Sequence, residues 1–309
     1  MAYRKAASLA LYLWVAVMTF TEAHAAAAFN LTEVASGVFI HQGRQVGIDH
    51  PQRGDSANLG FIVGKKCVAV VDTGGSLATG TALRAALKRH TPLPVCYVIN
   101  THGHFDHVLG NAAFQPEHPI FVGHQNLAAV MAANREYFPQ RFATELAGVG
   151  AAGVIAPTQL ITGDIQLDLG GRLLQLTAQP EAHSAADLTV VDLPTGTLFA
   201  GDLVFVERLP VVDGKLRGWL AWMRDYGARH FARVIPGHGP VSAAWPAALV
   251  AQNLYLQSLM TDAKRAVADG VFLEDFIAHV DRAKLKLWKV QDAHKRNLSR
   301  AFREFEWGS

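Results

Sequence analysis

The sequence lacks any long run of like charge, any low-complexity tract and any short-period repeat. A polyanion-binding tail, a flexible linker and a repeat array are therefore excluded. Charged residues make up only 17% of the chain and nearly cancel, leaving a net charge of +2. Nothing in that balance predicts nucleic acid as a partner. Cysteine is almost absent, with only Cys67 and Cys96 present. Neither stands beside a histidine cluster, so neither is counted as a metal ligand. Both lie in apolar runs that read as neighbouring strands. In an oxidising compartment they can pair; the other reading is two buried thiols acting as small hydrophobes. Beyond the first residues, no segment is long and apolar enough to cross a bilayer.

What is present begins with an export pattern. Arg4 and Lys5 precede an apolar stretch from Leu9 to Phe20, followed by the small-x-small triplet Ala23-His24-Ala25. Residues 1–25 are thus expected to be a signal peptide, with the mature chain starting near Ala26 and working in the periplasm. An uncleaved anchor is the alternative. Half of the 309 residues are hydrophobic, enough for the large core of one layered α/β domain spanning 26–309.

The pattern along the chain is α/β. Leu31 to Gln42 alternates as a strand, and His41 to Asp55 reads as a polar loop, either a mobile substrate flap or an ordinary surface loop. Strands are expected at Asn58–Val63, Cys67–Asp72 and Val95–Asn100, with a helix over Thr79–Arg89. Helical spacing returns at Asn126–Met131 and Phe138–Leu146. Strands follow at Ile165–Leu169, Leu173–Thr177, Leu188–Asp192, Thr197–Ala200 and Arg233–Pro236, with a helix over Trp219–His230 before the last. A helical segment covers about 246–309. The polar residues gather where strands run out, which is where α/β folds place their sites.

The densest of these is Thr101-His102-Gly103-His104-Phe105-Asp106-His107. Three histidines and an aspartate directly follow an apolar strand, and Gly103 permits a tight turn. Imidazole nitrogen and carboxylate oxygen are donors that zinc accepts. His183, Asp202 and His238 each stand at a later strand end. One histidine alone is usually structural or exposed; an H-x-H-x-D-H string with three further donors points to metal. His41, His50, His90, His118, His124, His230, His279 and His294 lack such company and are read as structural or exposed.

With His183, Asp202 and His238, this string resembles the full ligand set of the metallo-β-lactamase superfamily, over roughly Val34 to Pro240. The resemblance implies a four-layer αββα fold with a helical C-terminal segment. It implies two zinc ions, one held by His102, His104 and His183, the other by Asp106, His107 and His238, with Asp202 bridging. Asp72 matches an aspartate that orients the histidine loop; a plain turn former is its other reading. The phrases Asn58–Gly64, Cys67–Ser76 and Gly201–Phe205 through Gly218–Leu220 are similar to the exported quinoprotein relay system zinc metallohydrolases, the SoxH-like group.

The expected activity is hydrolysis of an acyl-type small molecule (thioester, ester or lactam) by a metal-activated hydroxide, with Asp106 and Asp202 as catalytic residues. Ser76 and Ser184 receive positioning roles at most. No basic cluster for a substrate carboxylate is visible. Trp219, Trp222 and Met223 either line an apolar pocket or pack a helix. The competing readings are an iron-dependent enzyme resembling sulfur dioxygenases and a non-catalytic metal-binding accessory protein. The oligomeric state is left open.

Overall fold

Alternation along the strands builds the molecule in layers. In the computed structural model, which describes residues 29–278 and 285–307, the first sheet runs β1 (Thr32–Ala35), β2 (Val38–His41), β3 (Leu59–Val63) and β4 (Val68–Val71), all antiparallel neighbours. Helix α1 (Leu77–His90) crosses over to β5 (Val95–Ile99), parallel to β4. The short helix α2 (Phe105–Val108) follows, then β6 (Ile120–His124), α3 (Leu127–Ala133), α4 (Tyr137–Arg141) and β7 (Gln159–Ile161), which closes the seven-stranded sheet.

The second sheet is a meander of β8 (Asp164–Asp168), β9 (Leu173–Ala178), β10 (Leu188–Asp192) and β11 (Thr197–Phe205). Helix α5 (Leu216–Gly227) then returns the chain to β12 (Arg233–His238), parallel to β11. Three helices end the described chain: α6 (Val250–Ala268), α7 (Leu273–Ala278) and α8 (His294–Glu306).

Side-chain period two sorts each strand between two cores. Val68 and Val70 pack with Leu83 and Leu87 of α1 on the outer face of the first sheet. Their neighbours Ala69 and Val71 join Leu174, Leu188, Val190 and Phe199 between the sheets. On the far side, Leu198, Ala200 and Val234 meet Trp219, Trp222 and Leu256. The order is helix, sheet, sheet, helix, as the sequence implied.

Several elements differ from the sequence expectation. Leu31–Gln42 is a hairpin rather than one strand, because Gly37 takes φ +68° and reverses the chain. Phe138–Leu146 is helical only through Arg141, and β6 and β7 have no counterpart in the sequence reading. β7 is three residues long and owes its conformation to the parallel partner β6, which no local pattern reveals. Cys67 and Cys96 form a disulfide, with Cα atoms 5.7 Å apart. The expected signal peptide, with His279, lies outside the described residues. No helix among the described residues is long and apolar enough to cross a membrane.

Candidate metal centre

Strand ends and loops at one edge of the two sheets carry the donors. His102 and His104 follow β5, and α2 presents Asp106 and His107. His183 lies in the β9–β10 loop, Asp202 in β11, and His238 ends β12. Close packing of β11 makes this geometry possible. Gly201 sits at φ +52°, where a Cβ would stand 2.5 Å from Thr101 Oγ1, and a Cβ on Gly237 would overlap Asp202 Oδ1 at 2.0 Å. Only glycine fits at either place.

All seven sequence-predicted residues converge. They fall into two groups, His102, His104, His183 and Asp202 in one, and Asp106, His107 and His238 in the other. In the first, His104 Nδ1 lies 3.0 Å from both His102 Nε2 and His183 Nε2. Asp202 Oδ2 is 3.6 Å from His102 Nε2 and 3.5 Å from His183 Nε2. In the second, His238 Nε2 is 3.5 Å from Asp106 Oδ2, and His107 Nε2 is 3.9 Å from Asp106 Oδ1. Asp202 also reaches this group, at 3.1 Å from His107 Nε2 and 3.3 Å from His238 Nε2.

Those spacings fit a metal. Ligands held tetrahedrally at about 2.0–2.2 Å from one ion stand about 3.3–3.6 Å apart. Moreover, His107 Nε2 and Asp202 Oδ1 are buried with no hydrogen-bond partner among the described residues, a cost that a shared cation would remove.

The other nitrogen of each imidazole is engaged. His107 Nδ1 donates to Asp72 Oδ2 at 2.8 Å, His183 Nδ1 to the Val211 carbonyl at 2.8 Å and His238 Nδ1 to the Ser56 carbonyl at 2.9 Å. His104 Nε2 donates to Asp213 Oδ2 at 2.7 Å. His102 Nδ1 faces Thr101 Oγ1, whose own proton goes to Asp72. These bonds place a proton outward on each ring and turn the other lone pair inward. Asp72 also accepts from Thr101 N at 2.8 Å, so one carboxylate ties the start of the histidine loop to His107.

Charge differs between the groups. Burial holds His102 and His104 below the ordinary imidazole range and pushes His183 down to about 3. Burial would lower His107 too, but Asp202, Asp72 and Asp106 outweigh it and raise its pKa well above normal. Burial would raise Asp202, yet the facing imidazoles, His238 foremost, hold it well below the carboxylate range. Asp106 is lowered in the same way, by His107 and then His238 against burial.

Some participants carried no sequence signal. Ser56 Oγ donates to Asp106 Oδ2 at 2.7 Å while its carbonyl holds His238. Asp213 reaches His104 with its side chain and pairs with Arg296 and Arg300 of α8. Its backbone N–H donates to the His183 carbonyl at 3.0 Å. A cavity of about 330 Å³ opens onto the donors and is lined also by Arg208, Val211 and Arg296. A neighbouring cleft of about 360 Å³ shares Ile48, His104, Phe105, Asp213 and Arg296 with it, and adds Phe138 and Phe142. Arginines distant in sequence therefore meet at the site, where the sequence showed no basic cluster.

Other expectations resolve simply. Trp219, Trp222 and Met223 are core residues of α5, with Trp219 packed edge-on against the His183 ring. The 41–55 loop is fastened by His41–Asp55 and by Arg53–Glu145, and only Ile48 and Asp49 of it line the cavity. Ser76 caps α1, and Ser184 Oγ donates to Asp187. His124 accepts from Asn126 N, away from the donors.

The layered fold carries at one edge of its paired sheets a His/Asp cluster arranged as two groups able to hold metal ions. A model described as the Metallo-beta-lactamase superfamily matches residues 53–238, more than half the chain, and the protein belongs to that superfamily, whose members are generally metal-dependent hydrolases. It is 31% identical over 182 residues to mouse (Mus musculus) metallo-beta-lactamase domain-containing protein 1, a match covering 55% of this chain and 58% of that relative's length. Among solved structures, a metallo-beta-lactamase from Pontibacter korlensis aligns with a TM-score of 0.60 at 21% identity, over 74% of this chain and 98% of its own. The stereoselective inverting sec-alkylsulfatase Pisa1 from Pseudomonas sp. aligns at 0.62 and 17%, over 89% of this chain and 50% of its own. At these identities the structural matches establish the fold alone.

Proposed function

We propose that the protein is an exported hydrolase that holds two zinc ions and cleaves an acyl-type small molecule: a thioester, an ester or a lactam. The observation that carries this reading is the convergence of seven donors into two groups that both face Asp202. His102, His104 and His183 would hold one ion, and Asp106, His107 and His238 the other. Bound there, two zinc ions would supply an activated water and polarise the substrate carbonyl. Asp202, kept ionised by the surrounding imidazoles, sets the spacing between the groups and is placed to take the proton of the attacking water. Asp106, ionised likewise, is held in orientation by Ser56. Asp72 and Asp213 keep the imidazole rings in register, and the flanking aromatic cleft gives the substrate's apolar part a place out of water.

Export and membership of the quinoprotein relay system group belong to the same proposal. The basic, apolar, small-residue N-terminus supports export, and so does the Cys67–Cys96 disulfide, a bond that persists in oxidising compartments. Elemental analysis of the purified protein, followed by a panel of thioesters, esters and lactams, tests the activity. Two zinc per chain with turnover is the expected result. One iron per chain with oxygen uptake on a persulfide would replace it with a dioxygenase, and bound metal without turnover with an accessory protein. Cell fractionation with N-terminal sequencing is expected to find the mature chain in the periplasm, starting near Ala26.

A further inference from the structure

The segment between β11 and α5 carries the outward partners of two donors in the first group. The Val211 carbonyl accepts from His183 Nδ1 at 2.8 Å, and Asp213 Oδ2 accepts from His104 Nε2 at 2.7 Å. The N–H groups of Asp213 and Gly214 also hold the His183 carbonyl, at 3.0 and 2.7 Å. What holds the segment itself lies 85 to 87 positions later in the chain. Asn297 of α8 donates from Nδ2 to the Pro210 carbonyl at 2.6 Å and accepts at Oδ1 from Val212 N at 2.9 Å. Its amide thus grips the backbone on both sides of Val211. The remaining Nδ2 proton goes to Tyr255 Oη at 3.0 Å. Further along the same helix face, Arg300 approaches Asp213 to 3.6 Å, and the Glu304 carboxylate accepts from Leu216 N at 2.7 Å and Arg217 N at 3.1 Å.

Asn297 is fully buried, where an amide is costly unless all its polar atoms are paired. Packing alone would be served by an apolar side chain. What the amide adds is a fixed place for the Val211 carbonyl and for Asp213.

We propose that Asn297 is a positioning residue of the metal centre: by clamping residues 210–212 it fixes the His183 and His104 rings, and so sets from the C-terminal helix the affinity of the first donor group for its ion. This inference rests on the two-ion reading, though not on hydrolysis. An imidazole whose outward partner shifts turns its lone pair off the ion, so outer hydrogen bonds govern metal affinity. The second group leans on other supports, Asp72 for His107 and Ser56 for Asp106 and His238. The effect of Asn297 is therefore confined to the first group.

The test reads each site alone. Asp106→Ala leaves the first group to bind zinc, His183→Ala leaves the second, and competition with a fluorescent zinc chelator measures the affinity of each. Asn297→Leu, close in volume but without the amide, is placed in both backgrounds. It is expected to weaken zinc binding at least about tenfold in the Asp106→Ala protein and to leave the His183→Ala protein within about twofold. Asn297→Ser, which keeps a hydroxyl and leaves room for a water, covers a failure of the leucine variant to fold; its loss at the first site is expected to be about fivefold. Equal weakening at both sites marks a purely structural role and overturns the inference, as does unchanged affinity at the first. A wild type that binds no zinc overturns the two-ion reading together with this inference, whereas two bound ions with an unchanged first-to-second ratio overturn this inference alone.

Discussion

The two donor groups are built from similar residues but stand in opposite electrostatic states. His102, His104 and His183 form a set of neutral rings whose pKa values burial has lowered, and their outward protons go to Thr101, Asp213 and the Val211 carbonyl. Across Asp202, the ring of His107 is surrounded by three carboxylates, which raise its pKa. A cation entering the first group meets lone pairs that are already free. One entering the second must displace a proton from His107. The same ligand types thus give one site that is ready at any moderate pH and one that competes with protons.

Removing a ligand should break that asymmetry most sharply. His183→Ala is expected to empty the first group and lower turnover on the order of a thousandfold, since a metal centre contributes several kcal/mol to the transition state. Asp106→Ala should cost one metal from the second group, with the first retained. Elemental analysis of both variants checks this, and unchanged metal content in either refutes its ligand assignment.

Replacing the outward partners acts one step further away. Asp213→Asn is expected to weaken the first site about 10- to 100-fold, and Asp72→Asn the second by a similar factor. Chelator competition at each site measures both. If the two variants weaken the same site, the division between the groups is wrong.

Acidity should sharpen the contrast. His107 has a folded-state pKa above the ordinary 6.5, so below that raised value a proton occupies the nitrogen that a metal needs. Affinity at the second site is expected to fall about tenfold per pH unit in that range. The first site should hold, because His183 titrates only near 3. Dialysis at pH 8 and pH 6, followed by metal analysis, should therefore show loss from the second site first.

The smallest effect on chemistry is expected from Cys67→Ser. The disulfide joins the end of one strand to its neighbour in the first sheet, away from the donors. Its loss should lower stability by about 2–4 kcal/mol while leaving turnover nearly intact. Thermal unfolding and a rate assay together check this, and a large fall in metal content would contradict it.

The donor set was legible in the sequence because its chemistry is local. His102 to His107 lie within six residues directly after one apolar strand, Asp202 and His238 each close a recognisable apolar run, and His183 precedes one. Most strands were legible for the same reason, since an alternation such as Val68 to Val71 reports its own two faces. Ser56, Asp213 and Arg208 were not legible: a lone serine, aspartate or arginine has no pattern, and its role comes from what folding sets beside it.

By itself, then, the order of residues determined the layered α/β class and the seven donors, whereas the structure carries β11 on past Asp202 to Phe205 and sets Asp106 and His107 on α2. Only the tertiary structure decided the state of the cysteines, the outward partner of each imidazole and the approach of Arg208 and Arg296 to one cavity across 88 positions of chain. The physical reason is range. Hydrophobic period and turn chemistry act over a few residues and are written locally, whereas ring orientation, proton position and buried charge depend on groups that only packing brings together.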